Sequence, residues 1–129
     1  KAGSKILVMA SVSSGSQGGT SAGYVFKLYR SIAGGTPVRI DAAGGDSPGN
    51  RPGAFLTGGQ EHGTDWVSKT AANNYLDTPS YSLGQSVEYL IYAGGAGGQQ
   101  RVINRNWRDS NDSDNPRCMS SITIMEILQ

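Results

Sequence analysis

At 129 residues the chain has the length of one domain, enough to bury a single hydrophobic core. Nineteen Gly and five Pro, with only 16% charged residues, exclude a helical protein, because Gly and Pro break helices and leave apolar runs too short to fill one. A net charge of +1, with seven Arg and four Lys scattered along the chain, excludes a nucleic-acid-binding field, and no apolar run approaches the roughly 20 residues of a membrane-spanning helix.

Short apolar clusters separated by turn residues predict an all-β protein, a sandwich or barrel. Residues 5–12 are apolar at both parities, which predicts a central strand buried on each face. Residues 13–20, rich in Ser and Gly, read as a loop. Residues 23–32 set Tyr24, Phe26 and Leu28 on one face against Val25, Lys27 and Tyr29 on the other. Gly34-Gly35 then turns the chain into residues 36–40 as a hairpin, with Pro37 suited to a strand's start or an edge.

Residues 41–63 carry four Gly- and Pro-rich punctuation points and predict a long surface excursion with one short strand near 54–57. Structureless stretches of that length in a compact domain usually serve function. Residues 65–71 predict a strand, and 73–79 a strand end followed by a turn. The clearest alternation lies at 86–93, with Val87, Tyr89, Ile91 and Ala93 on one face. The glycines of 94–98 connect it to residues 101–106 as a second hairpin. A polar loop at 107–117 leads to the last strand, Ser121–Ile127.

Chemistry-bearing residues are sparse. His62 is the single histidine, in a Gly-rich loop, and neither a nucleophile-elbow motif nor a zinc-binding H-E-x-x-H motif accompanies it. The segment from Asp109 to Asn115 is rich in hard oxygen ligands, as a calcium loop is. It lacks the mid-loop Gly and terminal Glu of an EF-hand, and Asn, Asp and Ser are ordinary turn residues, so no metal is assigned. The glycine-rich segments lack the Lys and the helix of a phosphate-binding loop. With Cys118 alone, no internal disulfide can form.

Glu88 and Glu126 both fall in predicted strands, where a structural role ranks ahead of an acid pair for glycoside hydrolysis. Glu126 interrupts an apolar strand and therefore needs a partner or an interface; Arg30, Arg101 and Arg105 are the candidates. Tyr24, Phe26, Tyr89 and Tyr92 suit a core or a subunit contact. Aromatic residues near loops, Trp66 and Trp107 with Tyr75 and Tyr81, can stack on sugar rings. The expected receptor-facing surface comprises the loops carrying Arg51, Trp66, Trp107, Asp109, Asp112 and Asp114. No residue is assigned a catalytic, cofactor-binding or metal-binding role.

Four segments follow one another in an informative order: Tyr75-Leu-Asp-Thr-Pro79, Ser86-Val-Glu-Tyr89, Val102-Ile-Asn-Arg105, and Pro116-Arg-Cys-Met-Ser-Ser-Ile-Thr-Ile-Met-Glu-Ile127. Together they resemble a C-terminal domain of tail-fibre and other virion structural proteins of tailed phages, notably those of marine bacteria and cyanobacteria. The opening Gly3-Ser-Lys-Ile-Leu-Val-Met9 also resembles that family's first strand, so the resemblance spans nearly the whole chain. Its most specific part is the closing strand. The family's usual earlier strand has no counterpart here, and the loops at 41–63 and 94–98 are longer or richer in Gly.

The resemblance implies a single β-sandwich domain over residues 1–129, jelly-roll-like and antiparallel, forming the C-terminal part of a longer chain. It implies a homotrimer without cofactor or catalytic residues, located in the virion and assembled in the host cytoplasm with other virion proteins. The expected function is a tail-fibre tip module that contacts a bacterial surface glycan or protein, with neither nucleic acid binding nor membrane insertion. The alternative is a capsid or tail decoration protein that cements its neighbours. A polysaccharide-degrading enzyme ranks third.

Overall fold

In the computed structural model, which describes residues 3–16, 24–58, 66–95 and 101–128, eight strands form two antiparallel four-stranded sheets. In chain order they are β1 (Lys5–Ser16), β2 (Tyr24–Ile32), β3 (Val38–Arg39), β4 (Leu56–Gly58), β5 (Lys69–Asp77), β6 (Val87–Gly95), β7 (Arg101–Ile103) and β8 (Ser121–Ile127). The only helical turn among the described residues is a 3-10 turn at Asp41–Ala43.

Both sheets follow one plan. In the first, β1 pairs along one edge with β5, from Ile6 opposite Asp77 to Ser14 opposite Lys69. Its other edge is shared end to end by β8, opposite residues 5–11, and β7, opposite residues 14–16. In the second sheet, β2 pairs along its whole length with β6. Its other edge is shared by β4, opposite residues 24–26, and β3, opposite Tyr29 and Arg30.

The core forms where the inner faces of β1 and β2 meet. Ile6, Val8, Ala10 and Val12 enter it from β1, and Phe26 and Leu28 from β2, joined by Phe55, Leu56 and Tyr89. Val8 and Leu28 are essentially sealed from solvent, and each contributes roughly 1.5–3 kcal/mol by burial. On the outer face of the second sheet, Tyr29 and Tyr92 pack edge to face with ring centroids 4.5 Å apart.

The expectation that β1 is buried on both faces is corrected. It is central, with strands on both edges, but Leu7, Met9 and Ser11 on its outer face are only half-buried, because two layers cover one face each. The closing strand β8 lies where the sequence places it, yet every one of its residues is exposed. The predicted segments at 65–71 and 73–79 are replaced by one continuous strand, β5. The second predicted hairpin is not formed: β6 pairs with β2 and β7 pairs with β1, so the two strands belong to opposite sheets.

The predicted hairpin between β2 and β3 is present in shortened form. Gly34, at φ +72°, provides the left-handed turn, and Gly35 N–H donates to Ile32 C=O at 3.0 Å. The excursion that follows folds back on itself through Gly45 N–H to Ala54 C=O and Gly53 N–H to Ser47 Oγ at 2.7 Å. It then delivers Phe55 to the core, where Phe55 N–H donates to Phe26 C=O at 2.9 Å.

The loop expected at 13–20 starts late, because β1 runs on to Ser16 with Ser13, Ser14 and Ser16 buried. Their polar groups find partners inside the fold: Ser13 N–H donates to Ser120 Oγ at 3.0 Å, and Thr70 Oγ1 donates to Ser13 Oγ at 3.1 Å. Gly15 is needed here for closeness of approach. A Cβ at this position would lie 2.7 Å from Arg105 C=O and 2.8 Å from Asn106 Cα. Gly15→Ala is therefore expected to lower stability by about 1–3 kcal/mol in urea denaturation, against little change for Gly94→Ala, whose Cβ would meet nothing within 4 Å.

Candidate functional site

The segment between β7 and β8, residues 104–120, folds around one buried amide. Asn106 is 1% exposed; its Nδ2 donates to Trp66 C=O at 3.1 Å and to Asn115 Oδ1 at 2.5 Å. Its Oδ1 accepts from Asp109 N–H at 2.9 Å. Asn115 Nδ2 in turn donates to Ser110 Oγ at 2.7 Å, and Ser110 Oγ donates to Asp112 Oδ2 at 3.0 Å. Short Asn, Asp and Ser side chains bond to nearby main chain, and Asn and Asp tolerate positive φ, so this composition can shape a loop without apolar packing. Asn104 and Asp109 use that tolerance, at φ 65° and 47°.

Asp109 sits inside this frame as an ion-pair hub, 2.5 Å from Arg105 Nη1 and 2.7 Å from Arg117 Nη2. The bond from Asn106 to Trp66 C=O ties the loop to the connection preceding β5. Arg108 lies over the Trp66 ring at 5.6 Å, within cation–π range. A cleft of about 360 Å³ opens between these two segments, lined by Trp66, Arg108, Asp112, Asp114 and Asn115.

The cleft presents a half-exposed indole beside carboxylate and amide acceptors and guanidinium and amide donors. That set matches the apolar face and hydroxyl rim of a sugar ring. Among the described residues no group of three or more His, Cys, Asp or Glu is placed to hold a metal ion. Cys118 is a free thiol whose Sγ lies 3.3 Å from Ser68 Oγ.

Of the residues expected to face a receptor, Trp66, Asp112 and Asp114 come together at this cleft. Asp109 shapes the loop from within. Trp107 is half-buried and does not line the cleft, and Arg51 lies exposed on the separate excursion between β3 and β4. Arg108 carried no sequence signal beyond membership of a polar loop and Asn115 none beyond the oxygen-rich segment it ends, while the organising Asn106 falls in the stretch 101–106 that the sequence reads as a strand and of which only Arg101–Ile103 is one. His62 lies outside the described residues.

Glu126 is exposed, and Tyr81 Oη donates to its Oε1 at 3.5 Å. Two of its expected partners are engaged elsewhere, Arg105 with Asp109 and Arg30 with Asp77. Glu88 and Glu126 belong to different sheets.

The strongest polar cluster escaped the sequence reading. Asp77, 3% exposed at the end of β5, accepts from Arg30 Nη1 at 2.6 Å and from Tyr89 Oη at 2.7 Å, both on Oδ2. Its Oδ1 accepts from Thr78 N–H at 2.9 Å. Arg30 and Tyr89 are cross-strand partners on β2 and β6, so one carboxylate of the first sheet binds two side chains of the second. The only sequence signal was an acid at a strand end followed by Thr-Pro.

Burial, reinforced by the neighbouring Asp77 carboxylate, pushes the Tyr89 hydroxyl well above the usual tyrosine range. Above about pH 10 the unfolded chain releases this proton while the folded chain keeps it, so stability present below that pH falls by about 1.4 kcal/mol per further pH unit. Urea denaturation between pH 9 and 11 is expected to show a steeper alkaline loss for the wild type than for Tyr89→Phe. Asp77→Ala is expected to cost roughly 3 kcal/mol at neutral pH in the same measurement, because it strands Arg30 and Tyr89.

Comparison of the chain with protein-family models, with curated proteins and with solved structures gives no match in any of the three.

Proposed function

We propose that this chain is a non-catalytic attachment module of a phage virion, a jelly-roll-like sandwich at a tail-fibre tip that assembles as a homotrimer and contacts a bacterial surface glycan. The observation that carries the reading is the cleft, in which an exposed Trp66 stands among Arg108, Asp112, Asp114 and Asn115. An aromatic platform ringed by donors and acceptors recognises sugars by stacking and hydrogen bonding together. The virion context rests on the resemblance over residues 75–79, 86–89, 102–105 and 116–127. Two four-stranded antiparallel sheets are compatible with a jelly roll.

A decoration protein is the second reading. The exposed apolar side chains of β8 favour it, because a cementing protein needs apolar surface and has no use for the cleft. Binding separates the two. Isolated host surface polysaccharide, titrated against the protein, is expected to bind the wild type and to bind Trp66→Ala roughly tenfold more weakly, the loss of one stacking contact. Asp114→Asn is expected to weaken binding as well, and Leu83→Lys, remote on the exposed turn between β5 and β6, to leave it unchanged. Absence of binding by the wild type, or equal binding by Trp66→Ala, overturns the attachment reading. Release of reducing ends from the polysaccharide overturns the non-catalytic part of it.

A further inference from the structure

The sandwich is open along one side. On β8, Ile122 and Ile124 have the same parity as the core: they stand opposite Ala10 and Val8 of β1, which are 4% and 0% exposed. Ile122 and Ile124 are nevertheless 42% and 48% exposed. Across from them, the inner face of β6 is sealed at Tyr89, half-buried at Ile91 and open at Ala93. Between these strands lies an apolar cleft of about 300 Å³, bounded by Val12, Phe26, Tyr89, Ile91, Ile103 and Ile122. Among the described residues, these core-facing side chains are thus without the partner layer that their position on the sheet calls for.

The strand edges on this side are open as well. Among the described residues β8 pairs only with β1 and β6 only with β2, so each presents a row of main-chain donors and acceptors outward. Exposed edges in natural sheets are usually guarded by Lys, Pro or a bulge. Residues 121–127 contain no Lys or Pro, and their register with β1 is unbroken. The single charge is Glu126, at the strand's end.

We infer that this open side, centred on β8, is where copies of the chain meet, and that its occupant is a second copy of the same chain. The inference rests on the oligomeric part of the reading above and supplies its contact surface. Ile103, Ile122 and Ile124 on the core-facing side are 42–48% exposed, and Met125 and Ile127 on the outer face of the same edge strand, with Leu128 beyond its end, are 38–67% exposed in the single chain. Main chain included, they expose on the order of 600 Å², a large part of the about 800 Å² per partner of a stable specific interface. The surface carries almost no charge with which to select a charged partner. A closed cyclic assembly also satisfies every copy's exposed edge with one repeated contact.

The test is molar mass by size-exclusion chromatography with multi-angle light scattering at tens of micromolar, on the wild type, Ile124→Lys and Leu83→Lys. Wild type and Leu83→Lys are expected at three copies and Ile124→Lys at one. Because Ile124 is already half-exposed in the single chain, Ile124→Lys is expected to keep the wild-type far-ultraviolet circular dichroism, which separates dissociation from misfolding. If Ile124→Lys misfolds, hydrogen exchange of the wild type decides: β8 amides protected at high concentration and released on dilution support the contact. A folded Ile124→Lys that stays trimeric overturns the assignment of the surface while leaving the trimer standing. A monomeric wild type overturns the inference, and with slow-exchanging β8 amides it identifies a segment of the chain itself as the cover. None of these outcomes depends on glycan binding, so the attachment reading stands or falls separately.

Discussion

Two twisted sheets pressed together by apolar side chains alone can slide; a shared carboxylate fixes their relative position. Asp77 performs that role here. It ends β5, sits opposite Ile6 in the first sheet, and binds Arg30 and Tyr89, a cross-strand pair in the second. A buried carboxylate is costly unless its oxygens are satisfied, and here the two oxygens accept from three donors. Phe26 and Leu28 share one buried core with Val8 and Ala10 between the sheets that this link joins. Apolar packing supplies most of the stabilisation, and the ionic link ties the two sheets together at one point.

The all-β character, the order of the strands and the turn at Gly34 were legible because they depend on local chemistry: alternation, β-branched content and turn residues. What was not legible depends on distance in the sequence. The burial of β1 on one face rather than two is set by how many layers the chain builds. β6 and β7 are separated by glycines and look like a hairpin, yet their partners are β2 and β1, a choice made by the core and not by the connection. β5 was divided in two because Ala71, Ala72, Asn73 and Asn74 are poor strand formers, overridden by nine consecutive register partners on β1.

The candidate site divides along the same line. Aromatic and acidic residues in loops marked Trp66, Asp112 and Asp114, since exposed residues of those types are informative from composition alone. Asp109 was grouped with them and has a different duty, between two arginines inside the loop. Asn106, on which the loop closes, resembled any other asparagine. Its importance comes from complete burial with every amide group bonded, a property of the folded loop and of no local pattern. Polar cross-bonding of this kind gives the cleft a defined shape although the loop contributes almost nothing to the core.

β7 and β8 lie end to end along the same edge of β1, and the 104–120 segment leaves and returns at that one edge. Both ends of the loop are therefore anchored to a single strand, and its length does not enter the spacing of the sheets. Within it, Asn106 and Asp109 hold the loop's shape, while the exposed residues 111–114 touch neither strand's register. The arrangement separates the strands that carry the core from the segment that lines the exposed cleft.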